Sequence, residues 1–241
     1  MSYNTKLTKE NLDYYLRELA KEFRRLNGKT MPAEMVLIGG ASVLINYGFR
    51  DMTSDVDAII SASSVMREAI NKVGDRFSLE NGWLNTDFQN TKSYTPKLIE
   101  VSIFYKTLSN VLTIRTVAGE YLIAMKLMSG REYKNDMSDV IGILHEHEQR
   151  GTPITYEKID AAVCRLYDGW TGVQDSAIRF IRDVCNAQDY SELYGRFRGE
   201  ERESRETLLN FNVEHPGVLN EDNMSEILKQ AQMRIKQKGD E

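Results

Sequence analysis

A chain of 241 residues, 41% hydrophobic and 28% charged, can bury a substantial core and is ordinary for a globular protein. No apolar run approaches a membrane span and the first ten residues, M-S-Y-N-T-K-L-T-K-E, contain no apolar signal core, so a cytoplasmic protein without membrane partners is expected. A formal net charge of −5 excludes a surface broadly coated for nucleic acid, leaving local basic patches such as Lys21/Arg24/Arg25 and Arg196/Arg198, which equally suit a solvated helix face. Cys164 and Cys185 lack metal-ligand spacing and read as reduced thiols.

In chain order, residues 8–27 predict an amphipathic helix: Leu12, Tyr15, Leu16, Leu19, Phe23 and Leu26 recur at three- and four-residue steps between an N-cap Thr8 and a stop at Gly28. Residues 35–38 read as a short buried strand and 40–48 as a short helix closed by Gly48. A second strand is expected at 56–60 and a helix at 63–74, ending at Gly74. Residues 75–97 lack periodicity and contain N-G-W-L-N, so a long loop is expected there. Alternation returns at 98–105 and 111–117, both strand-like. From Gly119 the pattern is helical, with segments at 119–130, 136–149, 155–168, 172–187, 189–211 and 221–237. The predicted class is α+β: a small mixed sheet flanked by helices over residues 1–118, then a helical region over 119–241 that packs on that core.

The stretch V-L-I-G-G-A-S-V-L-I-N-Y-G-F-R-D-M-T-S-D-V-D-A-I-I (36–60) carries the chemistry. On a strand, Asp55 and Asp57 share a face, and two carboxylates so close repel unless a cation lies between them. Mg²⁺, with its hard oxygen ligands, is the natural partner. Gly39-Gly40 permits close backbone approach, and the helix it opens points unsatisfied N–H groups at an anion. The competing reading is a strand-to-helix turn with packing glycines, followed by exposed acids.

Glycine pair, short helix and Asp-x-Asp in this order resemble the nucleotidyltransferase superfamily of DNA polymerase β type. Further matches are R-D-M-T-S-D-V-D (50–57), G-W-L-N (82–85) and E-Y-L-I-A-M-K-L-M-S-G-R (120–131) followed by Asp136 and Asp139. Together they are similar to a bacterial family of stand-alone nucleotidyltransferase-like proteins related to AbiEii-type toxins, over roughly residues 30–150. The resemblance implies transfer of a nucleoside monophosphate from an NTP, with release of pyrophosphate, to an RNA, tRNA or protein acceptor. It also implies a role in a toxin–antitoxin or phage-defence system, with a cognate antitoxin as partner. A non-catalytic nucleotide-binding or antitoxin-like relative and an antibiotic-type small-molecule nucleotidyltransferase are the alternatives.

By that resemblance Asp55 and Asp57 bind metal, while Gly39, Gly40 and Ser42 hold the triphosphate. Lys126 and Asp139 support the phosphates, and Glu100 is the candidate third metal ligand, against a reading as a water-facing edge-strand acid. A charge at Lys126, inside A-M-K-L-M, needs a partner or a snorkelling stem. Asp136 fits either function or the preference of acids for helix N-termini. Arg50 and Thr53 flank the acids, placed to touch phosphate or the metal loop. Trp83 suits a core position better than a base-stacking one. His145 and His147, two apart on a helix, do not face one another. No G-x-x-x-x-G-K-[ST] loop occurs, which excludes a P-loop NTPase.

Overall fold

The computed structural model describes residues 6–29, 31–131, 134–187, 189–220 and 223–239. Helix α1 (Lys9–Asn27) opens with a capping box, in which Thr8 N donates to Asn11 Oδ1 at 2.8 Å and Thr8 Oγ1 accepts from Asn11 N at 3.4 Å. Its stripe of Leu12, Leu16, Leu19 and Phe23 is fully buried. At roughly 1.5–3 kcal/mol per buried side chain against about 1 kcal/mol for the cap, the stripe holds the helix and the cap sets where it starts.

Strands β1 (Ala33–Leu37), β2 (Val56–Ser61), β3 (Leu84–Asn85), β4 (Ser102–Leu108) and β5 (Leu112–Val117) form one mixed sheet in the order β3-β2-β1-β5-β4. β1 runs antiparallel to β2 and parallel to β5; β2 is parallel to β3, and β4 antiparallel to β5. Alternation sorts the β1 and β2 side chains into two layers. Met35, Leu37, Val56 and Ala58 meet α1 and α3 (Val65–Phe77) on one face. On the other, Val36, Ile38 and Ile59 join a larger core with α5 (Gly119–Ser129), α6 (Asp136–Gln149), α7 (Tyr156–Tyr167) and α8 (Asp175–Cys185). That core runs without a break across residue 118. The long α9 (Tyr190–Glu214) lies along α6, and α10 (Met224–Gly239) returns against α9. The expected α+β class is the one observed. Among the described residues no helix is long and apolar enough to cross a membrane.

Four expectations need correction. Helix α3 continues through Gly74 to Phe77, because that glycine is a packing site: a β-carbon there would stand 3.3 Å from the Trp83 ring. The segment 75–97 is not structureless; it contains β3 and a 3-10 helix at Asp87–Asn90, both too short to show a period. The strand expected at 98–105 begins only at Ser102, since Pro96 opens a helical turn, α4 (Lys97–Glu100), stabilised by Leu98 N to Thr95 O and Ile99 N to Pro96 O. The helix expected at 172–187 starts later, at Asp175. For the helix expected at 221–237, residues 221 and 222 lie outside the described residues, and the helix spans Met224–Gly239.

Candidate active site

Val56 and Ala58 point into the α1/α3 core, so Asp57 projects from the opposite face of β2, and Asp55 immediately precedes the strand. The backbone before Asp55 is pinned: Thr53 exchanges two 2.9 Å hydrogen bonds with Leu7, and its hydroxyl donates to Asp55 O at 3.2 Å. Asp57 stands opposite Asn85 of β3 and accepts at its carbonyl from Ile38 N at 3.0 Å. That bond sets the next residue, Gly39, over the Asp57 side chain. Gly39 has φ +55°, a left-handed conformation, and a β-carbon there would lie 3.4 Å from Asp57 Oδ2.

Gly39 also opens α2 (Gly39–Asn46), whose N-cap Ile38 supplies no side-chain hydrogen bond. The first-turn N–H groups of α2 therefore have no cap from the Ile38 side chain and lie beside the Asp57 carboxylate. Burial, then the like charge of Asp55, pushes the Asp57 carboxyl up to about 6, against the pull of Lys134 and Arg131. The charge of Asp87, in the 3-10 helix after β3, raises it further.

Gly40 has a different reason to be glycine. A β-carbon there would come within 2.7 Å of Thr53 Oγ1 and 2.8 Å of Arg50 Nη2. The guanidinium lying over Gly40 is held by Nε donating to Met52 O at 3.0 Å and Nη1 donating to Asp139 Oδ2 at 2.5 Å. Its loop is anchored by Phe49, whose ring fills the space a side chain at Gly142 of α6 would need.

Asp139 belongs to a buried ionic network joining three segments. Lys126 Nζ of α5 lies 2.7 Å from Asp139 Oδ2 and 2.9 Å from Asp136 Oδ1, and Arg131 Nε lies 3.0 Å from Asp136 Oδ2. The side chains of Lys126, Asp136 and Asp139 are 8%, 2% and 1% exposed, so these charges are balanced by one another and not by water. Burial pulls the Lys126 ammonium down, but Asp136 and Asp139 outweigh it and hold it above its ordinary value. Burial likewise works against the Asp136 carboxylate, and Lys126 and Arg131 still hold it far below the usual range.

The network and the carboxylate pair meet through Gly40, Arg50 and Thr53. Lys126 is enclosed by two acids, which makes it a positioning residue for Asp139 and, through it, Arg50. Asp136, left open by the sequence, is a full member. Two expected contributors lie apart. Ser42 is completely buried, its Oγ accepting from Val117 N at 3.0 Å, which ties α2 to β5. Glu100 ends α4 before β4, three strands from β2, roughly 14 Å across at normal strand spacing. Trp83 is a core residue donating to Ile70 O at 3.2 Å. Among the described residues no three His, Cys, Asp or Glu side chains gather as a metal cage.

Sequence reasoning missed Glu201. It reaches from α9 to the N-terminus of α6, accepting from Met137 N at 2.9 Å, Ser138 N at 3.1 Å and Ser138 Oγ at 2.5 Å. It thereby caps α6, whose own N-cap Asn135 makes no side-chain capping bond. No local spacing announces a cap supplied 63 residues away. Asp87 was missed as well, its signal being the position two residues beyond Asn85 in a strand next to Asp57.

A family profile described as a nucleotidyltransferase of unknown function (DUF6036) matches residues 14–145, more than half of the chain. The chain belongs to this nucleotidyltransferase family. The matched span runs from within α1 to within α6 and so contains Gly39, Gly40, the carboxylate pair and the whole Arg50–Asp139–Lys126–Asp136 network. The remainder of the chain, including α9, lies outside the family match. No curated protein and no solved structure matches the chain.

Proposed function

We propose that the protein is a Mg²⁺-dependent nucleotidyltransferase that moves a nucleoside monophosphate from an NTP to an acceptor and releases pyrophosphate. The observation that carries this reading is the placement of Gly39 against Asp57, which puts a helix N-terminus beside a carboxylate that feels the charge of Asp55. A phosphate chain and a cation are what those groups favour. The donor set fits Mg²⁺: hard oxygens, one of them on a carboxyl whose ionisation burial and Asp55 make costly until a cation arrives. When bound, the metal supplies charge neutralisation for the attacking and leaving oxygens.

The chain's own groups do the rest. Asp55 and Asp57 hold the cation, and the Gly39 and Gly40 backbone receives the triphosphate. Arg50 lies over Gly40 in a rigid pose set by Asp139 and Met52 O, offering positive charge at the phosphates. Lys134 and Arg131 add charge from the α5–α6 side, as their pull on Asp57 indicates. An RNA, tRNA or protein acceptor and a toxin role with a cognate antitoxin accord with the AbiEii-like pattern of Lys126, Asp136 and Asp139.

Incubation with each α-labelled NTP, Mg²⁺, total RNA and total protein tests the reading. Label should move to a macromolecule and vanish in Asp57→Ala; transfer that survives this change overturns it. A nucleotide-binding relative without transfer is the second reading, favoured by the distance of Glu100 from the carboxylate pair. It predicts NTP binding and no transfer.

A further inference from the structure

A groove between α9 and the start of α6 is rich in arginine, and all of its α9 lining stands outside the residues matched to the family. It is a pocket of about 380 Å³ lined by Gly195, Arg198, Gly199, Arg202 and Arg205 of α9 and by Asn135 at the start of α6. Spacings of three and four residues bring these α9 positions to one helix face. Arg205 Nη2 donates to Asn135 Oδ1 at 2.8 Å. Among the described residues no carboxylate pairs with the three guanidiniums, although Arg196 on the same helix pairs with Glu200. Arg198 Nη1 is buried and has no hydrogen-bond partner among the described residues. A buried guanidinium N–H without an acceptor is costly, and an oxyanion is the group that satisfies it.

The two glycines point the same way. Each costs a helix interior about 1 kcal/mol relative to alanine, yet a β-carbon at Gly195 or Gly199 would meet nothing within 4 Å. No neighbour among the described residues requires them. They leave the helix backbone bare between arginines, where a bulky ligand can lie close.

We infer that this groove binds the phosphodiester backbone of a single-stranded polynucleotide, the acceptor strand of the transfer proposed above. From Arg198 to Arg205 the helix rises roughly 10 Å, more than one phosphate occupies and suited to successive phosphates of a strand. The groove begins at Asn135, one residue from Lys134, whose charge acts on Asp57. A strand along α9 is thus directed towards the carboxylate pair, while the Gly39–Gly40 turn is left for the NTP. The inference rests on the transferase reading for the identity of the strand as acceptor, but not for its binding.

The test uses the full chain and a fluorescein-labelled, unstructured 15-nucleotide RNA, followed by anisotropy. NTP binding is followed separately by calorimetry. Arg198→Ala/Arg202→Ala removes charge, and Gly199→Leu fills the groove without altering charge and with improved helix propensity. Both variants should weaken RNA at least tenfold and leave NTP affinity unchanged. The arginine variant should also flatten the dependence of log affinity on log salt by about 1.4, at ~0.7 per phosphate contact. RNA that fails to bind, or binds both variants as it binds the wild type, overturns the inference. So does loss of NTP affinity with RNA binding intact, which would give the groove to the triphosphate. Label transfer in the same samples separates the two readings. RNA binding through the groove without transfer removes the enzyme and keeps the groove; transfer indifferent to both variants does the reverse.

Discussion

Arg50 reaches across 89 residues of sequence to donate to Asp139 at 2.5 Å, and the same Asp139 oxygen lies 2.7 Å from Lys126 Nζ. One carboxylate therefore fixes two cations, one over Gly40 and one in the core. Breaking a buried pair by removing one partner costs about 3–5 kcal/mol. Arg50→Ala is expected near the lower end, because Asp139 keeps Lys126. Lys126→Met is expected near the upper end, because it leaves Asp136 and Asp139 facing each other. Arg50→Lys should behave like Arg50→Ala, since one ammonium cannot reproduce the fork between Met52 O and Asp139. Urea unfolding of the three variants checks the order.

The two adjacent glycines should fail for different reasons. Gly39→Ala meets Asp57 at an ordinary 3.4 Å, so its cost is the left-handed backbone alone, about 1–2 kcal/mol. Gly40→Ala must displace Thr53 or Arg50, and Thr53 is held on both sides by Leu7. A cost of about 1–3 kcal/mol is expected for Gly40→Ala, together with weakened NTP affinity as Arg50 leaves its pose. Thermal unfolding and nucleotide titration on both variants separate strain from displacement.

Asp57→Asn should stabilise the metal-free protein while destroying the site. Its carboxyl is pushed up to about 6 from 3.8, so at pH 8 the folded chain holds an ionised group it disfavours, worth on the order of 1–3 kcal/mol. The variant should melt higher than wild type without metal. Added Mg²⁺ should raise the melting temperature of the wild type alone. Equal Mg²⁺ shifts in both proteins would remove Asp57 from the metal site.

Glu201 gives the fold a pH dependence of defined sign. Burial raises its carboxyl to about 7 from 4.5, despite hydrogen bonds from Ser138 and Met137 that lower it. Between those values the folded chain keeps a proton that the unfolded chain has released, so stability falls as pH rises from about 4.5 to 7. The full interval is worth about 3 kcal/mol at ~1.4 kcal/mol per unit. Asp136 acts in the opposite sense: held far below 3.8, it contributes stability that is lost as pH falls below about 4. Glu201→Gln keeps acceptors for the α6 N-terminus and cannot titrate. Its stability should fall less than that of the wild type between pH 5 and 8, the remaining decline being that of Asp57, and a decline parallel to the wild type's would refute the assignment.

Much of the fold was legible because its signals are local. The stripe of α1, the alternation of β1 and β2, and the glycine-bounded helices after Gly119 are each set by neighbours within a turn or two. Misreadings fell where a distant contact overrides the local pattern. Gly74 looked like a stop and is a seat for Trp83; Glu100 looked like a strand residue and ends a turn begun at Pro96. The Ser42 hydroxyl, expected at the triphosphate, accepts from Val117 N, a contact 75 residues away that no local pattern shows.

The sequence by itself placed Asp55 and Asp57 two residues apart at the start of a strand, after a glycine turn, because both follow from backbone periodicity and the freedom of glycine. It also marked Lys126 and Asp139 as belonging together. Only the tertiary structure decided that Lys126 is locked between two acids, that Arg50 is the cation left over Gly40, and that three arginines of α9 line one groove. Charges on separate segments acquire partners, or go without them, only when packing removes the water that would otherwise serve each one.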